Sequence, residues 1–262
     1  MRIGKQDAPF TAISTSDAER IVVRGRDLCR DIIGKSDFTS YFWLLVTGEA
    51  PTPKQKLFAD AVLCAIAEHG LVPSNIAARM TFAAGPEAFQ GAVAAGLLGC
   101  GSVVLGSAEA CGFFLDRLVK EAESGAAPEE VAERGVRALR AEKKAIPGFG
   151  HPQHSGGDPR AETLLQLAKD NALDGPYIRM LSIVHAAIPK ALGRPLPINV
   201  NGAIPAVMLD AGFPLNALKG ISLLARTASL IAHLQEESSR PIGFVLSGNA
   251  AAAISYDGKD SE

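Results

Sequence analysis

Proline residues placed where helices should begin recur along this chain, and they constrain its fold more than any other feature. Proline suits the first turn of an α-helix because its fixed φ matches the helix and its missing N–H would have no partner there. Four such positions are Thr52-Pro53, Gly85-Pro86, Ala127-Pro128 and Asp158-Pro159. We predict that a helix begins at each of these prolines.

Apolar residues then follow at helical spacing. After Pro53, one predicted face carries Leu57, Ala61, Cys64 and Ala65. Gly70 lies just past the expected end of that helix, and the same spacing follows Pro128 and spans residues 221–234. Only Ile21-Val22-Val23 has the residue types of a short strand. The sequence therefore predicts an all-α fold of roughly ten helices.

Composition and charge favour a folded enzyme. The chain has 262 residues, of which 47% are hydrophobic, so it can bury a sizeable core. Its formal net charge is −2 and its basic residues are scattered, which argues against a nucleic-acid surface. No low-complexity linker divides the chain. We expect a single domain over residues 1–262, with a smaller, mobile helical subdomain over residues 109–220.

Cysteine usage and hydropathy bear on the compartment. The cysteines lie in apolar segments without CxxC spacing, at Cys29, Cys64, Cys100 and Cys111. This pattern indicates reduced core thiols and no metal site. The first ten residues have no apolar core that could serve as a signal sequence, so we expect a cytoplasmic protein. Residues 91–108 carry no charge, but their Gly, Ala and Ser content favours a buried or subunit-interface helix over a membrane span.

Glycine and proline concentrate at residues 146–160, which read IPGFGHPQHSGGDPR. Such a segment stiffens the backbone and leaves amides exposed near a ligand. Asp158 is a natural N-cap, Pro159 a first-turn residue, and Arg160 then falls in the first turn, where a cation opposes the helix dipole. Arg160 therefore either binds an anion such as a carboxylate together with the helix start, or pairs with a surface acid.

The P-G-F-G-H sequence followed by D-P-R resembles the signature of the citrate synthase superfamily. Residues 13–15, 68–75, 196–202 and 225–233 are similar to the citryl-CoA lyase module at the carboxy end of ATP-citrate lyase, so the resemblance covers nearly the whole chain. It implies the short citryl-CoA lyase type of this superfamily. The implied architecture is a citrate synthase-like multi-helix fold with a large helical domain and a smaller mobile one.

The resemblance also implies roles for individual side chains. His151 would contact the hydroxyl or keto oxygen of citrate or oxaloacetate and exchange a proton with it. Arg160 and Arg226 would hold substrate carboxylates as bidentate forks. His69 matches an earlier substrate histidine of the family and would act beside His151, although a histidine alone at a helix end more often caps or packs.

Coenzyme A, as acyl-CoA substrate or product, is the implied cofactor. The residues that match the loop lining its adenine are Ile146, Pro147, Gly148, Phe149 and Gly150. Lys143 and Lys144 either meet the CoA phosphates or form a solvated helix end. Of the remaining histidines, His154 is predicted to be a loop residue, and His185 and His233 are predicted to be structural.

Two positions depart from the family pattern. Val104 stands where citrate synthases have a histidine that bonds the thioester carbonyl, and Asn201 stands where they have the aspartate that moves a proton at the acetyl carbon. Asparagine is neither a general acid nor a base, and loss of such a group costs on the order of 10²–10⁴ in rate. Asn201 can instead donate a hydrogen bond to the thioester oxygen and stabilise an enolate.

These observations favour a CoA-thioester carbon–carbon lyase that cleaves citryl-CoA, or a related 3-hydroxyacyl-CoA, to acetyl-CoA and oxaloacetate. The alternatives are a citrate synthase-type acyltransferase of altered substrate, and a CoA- and polycarboxylate-binding homologue without turnover. The Gly- and Ala-rich stretch from Gly91 to Gly112 offers closely packing helices, and relatives pair through such helices. We therefore expect a homodimer or a dimer of dimers, with small-molecule ligands and no membrane or nucleic-acid partner.

Overall fold

The computed structural model describes residues 9–103, 105–150 and 156–258, and this part of the chain is mainly helical. Its α-helices are α1 (Phe38–Thr47), α2 (Pro53–Ala67), α3 (Pro73–Ala84), α4 (Phe89–Leu98), α5 (Ser107–Glu123), α6 (Pro128–Ala141), α7 (Pro159–Asp170), α8 (Pro176–Leu192), α9 (Val200–Asp210), α10 (Leu218–Glu237) and α11 (Gly243–Ala253). A short π-helix, Leu28–Ile32, and a 3₁₀ turn, Leu215–Ala217, complete the helical elements. The all-α prediction is confirmed.

A small antiparallel sheet precedes the helices. Its strands are β1 (Ser14–Ser16), β2 (Ile21–Val23) and β3 (Arg26–Asp27), in that order, and Val23 pairs with Ser14 on one side and Arg26 on the other. The strand predicted at Ile21–Val23 is thus confirmed. The flanking strands were missed because they are short and polar, with no alternating pattern of their own.

Three of the four predicted helix starts are confirmed, because α2, α6 and α7 begin at Pro53, Pro128 and Pro159. The start predicted at Pro86 is wrong. The Gly85 N–H bonds back to carbonyls of α3 and closes that helix, and residues 85–88 then form a turn before α4 begins at Phe89. Pro86 lies inside this turn, where proline is equally well accommodated.

The buried face of α2 differs from the predicted one. Phe58, Val62 and Ile66 are buried, whereas Leu57 is 37% exposed and Cys64 is also exposed. Because α2 packs against α1, α9 and α10, the face with the larger aromatic residue turns inward. Of the predicted set, Ala61 and Ala65 pack against the core, whereas the prediction is wrong for Leu57 and Cys64.

Two of the predicted core thiols are also misplaced. Cys100 and Cys111 are buried, but Cys29 and Cys64 are exposed. Cys29 lies in the surface π-helix and Cys64 on the outer face of α2. An apolar stretch of sequence does not specify which of its residues face the core. Cys29 and Cys64 face the solvent.

The charge-free stretch at residues 91–108 is divided between two helices. α4 ends at Leu98 and α5 begins at Ser107, and in the described ranges no helix is long and apolar enough to cross a membrane. A Cβ added at Gly96 would lie 2.7 Å from a methyl carbon of Leu230 on α10. The small residues therefore let α4 approach α10 closely, as expected for buried packing.

Two apolar cores lie on either side of α9. One gathers α1, α2, α7 and α10, and the other gathers α5, α6 and α8. Ile204 and Val207 of α9 belong to the first core and Ala206 to the second. Because α9 is buried between the two cores, its first turn, which carries Asn201, has a fixed position. The division of the chain at residues 109–220 stays a prediction.

Candidate functional site

The loop predicted to bind coenzyme A is fastened to the start of α9. The Asn199 N–H donates to the Gly148 carbonyl at 3.0 Å, and the Gly150 N–H donates to the Pro197 carbonyl at 2.8 Å. Phe149 and Ile198 form the bridge between these two hydrogen bonds. The Asn199 side chain also donates to the Gly150 carbonyl. These bonds hold residues 148–150 as a rigid edge beside α9.

Glycine is required on both sides of this contact. Gly148 has a φ of +87°, and a Cβ there would lie 2.6 Å from Cys111 Sγ. A Cβ on Gly202 would lie 2.5 Å from the Gly148 carbonyl oxygen. Since Gly202 follows Asn201 directly, the loop and the first turn of α9 are in backbone contact. The predicted cofactor loop and Asn201 therefore lie side by side.

Asp158 joins the starts of two helices. It is 0% exposed, and its Oδ1 accepts from the Arg160 backbone N–H at 3.1 Å, which confirms it as the N-cap of α7. Its Oδ2 accepts from the Val200 N–H at 2.8 Å, in the first turn of α9. The Arg160 guanidinium adds a bidentate pair, with Nε at 3.0 Å and Nη2 at 2.9 Å from the two oxygens.

The charge state of Asp158 follows from these partners. Burial opposes ionisation, but the hydrogen bonds from Arg160 and Val200 outweigh it and hold the pKa of Asp158 below its ordinary value. Of the two roles expected for Arg160, pairing with an acid is present, although the acid is a buried cap and not a surface group. The Arg160 side chain remains 20% exposed, which leaves part of the guanidinium accessible.

Arg226 lies on α10 and is buried, with only 3% of its surface exposed. Its Nη1 donates to Asn75 Oδ1 at 3.2 Å and its Nη2 contacts the Ile66 carbonyl at 3.5 Å. Its Nε has no hydrogen-bond partner among the residues that the structure describes. Burial lowers the pKa of Arg226, repulsion from Arg160 adds to this, and Glu68 opposes it. Arg160 and Arg226 are thus within electrostatic reach of each other.

The turn that carries His69 is held by two side chains. The Glu68 carboxylate accepts from the His69 N–H at 2.9 Å and from the Gly70 N–H, and it also binds Ser229. Asn75 Nδ2 donates to the Gly70 carbonyl at 2.8 Å. Burial opposes ionisation of Glu68, but the hydrogen bonds from Ser229, Gly70 and His69 outweigh it and lower its pKa.

Asn201 presents an unused polar atom. Its backbone N–H is taken by Asn199 Oδ1 at 2.9 Å, but its own Oδ1 is buried without a partner in the described ranges. The oxygen and nitrogen of a side-chain amide exchange places by rotation, so the same position can present either an acceptor or an N–H donor. A buried polar atom of this kind is costly unless a ligand satisfies it.

A largely apolar cavity of about 690 Å³ opens beside the loop. Phe113 and Pro147 line it, and Arg117 and Lys144 supply its positive charges. A second cavity of about 270 Å³ is lined by Phe149, Arg140 and Lys144. Lys144 thus borders both cavities, while it also pairs with Glu142 at 2.7 Å. This arrangement can take an extended ligand with an apolar arm and an anionic end.

Sequence reasoning missed several of these groups. Arg117 and Arg140 gave no signal, because single arginines on long amphipathic helices usually lie on a solvated face. Glu68 and Asn75 lie inside the segments that carried the family resemblance, yet no role was expected for them. His151, predicted to be catalytic, lies outside the described residues, as does Val104. His185 stacks on Phe149 with ring centroids 6.2 Å apart, which supports its predicted structural role.

Comparisons with known proteins show the family and the fold of the chain. A family model described as "Citrate synthase, C-terminal domain" matches residues 55–242. The citryl-CoA lyase of Hydrogenobacter thermophilus is 30% identical, with a TM-score of 0.85 over 100% of this chain and 97% of that one. The ATP citrate lyase of Methanothrix soehngenii, solved with citrate and coenzyme A, has the same fold at 22% identity, with a TM-score of 0.74 over 98% of this chain and 43% of that one.

Among curated proteins, "Putative citrate synthase 2" of Mycobacterium tuberculosis is 27% identical over 209 residues, which is 77% of this chain. The chain spans about half of that relative, 52% of its length. It covers nearly all of the Hydrogenobacter protein, by contrast. In length the chain is therefore similar to the Hydrogenobacter citryl-CoA lyase and shorter than the Mycobacterium protein.

Proposed function

Because this chain belongs to the citrate synthase family, we propose that it is a CoA-thioester carbon–carbon lyase that cleaves citryl-CoA, or a related 3-hydroxyacyl-CoA, to acetyl-CoA and oxaloacetate. The observation that carries the proposal is the pair Arg160 and Arg226. Arg226 is buried and its Nε has no hydrogen-bond partner among the described residues, and the Arg160 side chain, although paired with Asp158, is 20% exposed. A polycarboxylate supplies carboxylate oxygens that both guanidinium groups can bind.

The proposed chemistry is a retro-Claisen cleavage. His151 accepts the proton of the tertiary hydroxyl while the carbon–carbon bond breaks, so the hydroxyl oxygen becomes the keto oxygen of oxaloacetate. The bonding electron pair moves onto the acetyl carbon and is delocalised as an enolate on the thioester oxygen. Asn201 stabilises that oxygen through its side-chain amide. Another donor or water must protonate the carbon, because an amide is not a general acid.

Asp158 is not a substitute for the missing aspartate. Its two oxygens already accept hydrogen bonds from Arg160 and Val200, and it is 0% exposed. A carboxylate so fully engaged has a lowered pKa and little capacity to take a proton from a substrate. We assign it instead to holding Arg160 and the first turn of α9 in place.

Coenzyme A is proposed to lie along the loop Ile146–Gly150, with its pantetheine arm in the 690 Å³ cavity. Arg117 and Lys144 would meet its phosphates at the border of that cavity. The exposed backbone of the glycine-rich loop supplies hydrogen-bonding groups for the adenine. The family's need for a thioester and the cavity's apolar lining both support this placement.

We further propose a homodimer or a dimer of dimers. Leu98 and Val103 are 86% and 89% exposed, and Phe244 on α11 is 73% exposed. Large apolar side chains at such exposure are typical of a protein–protein interface.

The exposed free thiols of Cys29 and Cys64 fit a reducing compartment, which supports the expectation of a cytoplasmic protein.

A second candidate is a CoA- and polycarboxylate-binding homologue without turnover. It is favoured by one specific observation, the absence of a carboxylate at Asn201, together with Val104 in place of the family histidine. An acyltransferase of altered substrate is the intermediate case. All three readings require the same anion site, so binding alone does not separate them.

The test is to supply citryl-CoA to the wild-type protein and follow oxaloacetate release with malate dehydrogenase and NADH. Condensation of acetyl-CoA with oxaloacetate is measured in parallel by release of the CoA thiol. The proposal expects cleavage, and expects Arg226→Lys to weaken it because lysine lacks the planar fork. Binding of citrate and CoA without either reaction would favour the binding homologue. No binding of either ligand would leave only a fold assignment.

A further inference from the structure

Asn75 joins the two groups predicted to hold the substrate. It lies in the first turn of α3 and is 0% exposed. Its Nδ2 donates to the Gly70 carbonyl at 2.8 Å, in the turn that carries His69. Its Oδ1 accepts from Arg226 Nη1 at 3.2 Å. The buried side chain of Asn75 thus contacts the turn that carries His69 and also the guanidinium of Arg226.

The chemistry of these neighbours calls for an amide at this position. A backbone carbonyl only accepts a hydrogen bond and a guanidinium only donates, so the side chain between Gly70 and Arg226 must supply a donor and an acceptor together. Asparagine does this with its two terminal atoms. An ionised aspartate would offer only acceptors, so a carboxylate oxygen would face the Gly70 carbonyl oxygen with no hydrogen between them. An apolar residue would form a hydrogen bond with neither partner.

A buried hydrogen-bond network holds the His69 turn from the other side. His233 Nε2 lies 2.8 Å from Asn75 Nδ2 and 3.1 Å from Glu68 Oε2. His233 Nδ1 accepts from Arg79 Nε at 2.9 Å. Since arginine always donates, His233 Nδ1 is an acceptor and the ring proton lies on Nε2, directed to Glu68. Asn75 Nδ2 is also a donor, so its approach to Nε2 is a packing contact and not a hydrogen bond. The position of the imidazole is therefore set from both sides.

Arg79 in turn is anchored to the end of α10. It is 1% exposed, and its Nη1 pairs with Glu237 at 2.8 Å. The other oxygen of Glu237 accepts from the backbone N–H groups of Ile242 and Gly243, at 2.9 and 2.7 Å, where α11 begins. The hydrogen bonds thus run from the start of α11 through Arg79, His233 and Glu68 to the Gly70 turn, which Asn75 joins to Arg226. A side-chain network of this kind restrains the position of each of its members.

We propose that Asn75 is the positioning residue that sets the distance and orientation between the His69 turn and the Arg226 guanidinium. By taking one hydrogen of Nη1, Asn75 directs the unpaired Nε of Arg226 away from itself and towards a carboxylate. This inference rests on the proposed function, because the group positioned is the carboxylate site. Asn75 acts through Arg226 and His69, and touches no reacting atom.

The experiment measures binding of citrate and of CoA separately, by calorimetry, to the wild type, Asn75→Ala and Asn75→Asp. We expect Asn75→Ala to weaken citrate binding about ten-fold, as for loss of one hydrogen bond to a charged group. Asn75→Asp should weaken it further, because its carboxylate occupies Arg226 in place of the ligand. CoA affinity should stay within about two-fold in both. Asn171→Ala is the matched control, since it removes an amide-to-carbonyl bond on α7 and should leave both affinities unchanged.

Crystal structures of the wild type and Asn75→Ala provide the second readout. The proposal expects the Arg226 guanidinium and the His69 turn to shift apart in the variant while the loop Ile146–Gly150 stays in place. Unchanged positions, or equal loss of citrate and CoA affinity, would overturn it. If the wild type binds neither citrate nor CoA, the proposed function fails, and the structures still decide whether Asn75 positions Arg226.

Discussion

Removal of the Asp158 carboxylate is the perturbation whose effect the structure specifies best. Asp158→Ala removes the acceptor of four hydrogen bonds. Three come from the backbone N–H, Nε and Nη2 of Arg160, and one comes from the Val200 N–H. It also leaves the buried start of α9 without its acceptor. Both the stability of the fold and the carboxylate site should therefore respond.

The magnitude follows from two contributions. Loss of an N-cap costs about 1 kcal/mol. Loss of one partner of a buried ion pair costs about 3–5 kcal/mol when both partners are fully buried. Since Arg160 is 20% exposed, water compensates part of this, and we expect a total of about 3–4 kcal/mol in the free energy of unfolding. At about 2 °C per kcal/mol, the melting temperature should fall by about 7 °C.

The pH dependence has a definite sign. The folded-state pKa of Asp158 is lowered, so its contribution to stability is present above the unfolded pKa, about 3.9. That contribution is lost as the pH falls through the folded-state pKa. The difference in unfolding free energy between wild type and Asp158→Ala should therefore be largest near neutral pH and shrink below about pH 4.

Chemical denaturation at pH 7 and at decreasing pH measures these differences, with citrate binding followed in parallel. Asp37→Ala serves as the control, because Asp37 caps α1 by accepting from the Ser40 N–H at 3.0 Å and pairs with Lys56, and neither partner belongs to the site. It should cost about 1 kcal/mol and leave citrate affinity unchanged. A loss below about 1 kcal/mol for Asp158→Ala, or a difference that grows on acidification, would refute the reasoning.

Three further predictions concern the cofactor and the assembly. Arg117→Ala combined with Lys144→Ala should weaken CoA binding about ten-fold, because each substitution removes a cation from the 690 Å³ cavity. Arg137→Ala, which removes an exposed charge on α6, should leave the CoA affinity unchanged, and calorimetry measures both. Gly148→Ala should also weaken CoA binding, because its Cβ would lie 2.6 Å from Cys111 Sγ and displace the loop; unchanged affinity would contradict this. Light scattering at micromolar concentration should give two or four times the chain mass of 27.4 kDa, and a monomer would contradict the proposed assembly.

The sequence predicted the helical elements well where a local rule determined them. Pro53, Pro128 and Pro159 begin helices because proline is favoured in the first turn, and Asp158 caps α7 as its residue type suggests. At Pro86 the same rule failed, because a proline in a four-residue turn satisfies the same φ restriction. Local rules thus fix helix starts only where no turn competes.

Burial and partner choice were less predictable, because they depend on tertiary packing. The inward face of α2 carries Phe58 and Val62 because of what α9 and α10 present to it, which no spacing within α2 reveals. Likewise, the role of Asn75 depends on its contact with Arg226, which lies 151 positions away in the sequence. The pairing of Arg160 with its own N-cap required the side-chain geometry of α7.

The rate at which Asn201→Asp cleaves citryl-CoA, relative to the wild type, tests the central claim most directly. In the lyase proposed here, Asn201 hydrogen-bonds the enolate oxygen, and a carboxylate at the same position repels that developing charge. We therefore predict slower release of oxaloacetate, by about 10²-fold, as for loss of an oxyanion-hole donor. Faster cleavage, as expected if a lost proton-transfer carboxylate were restored, would contradict the account.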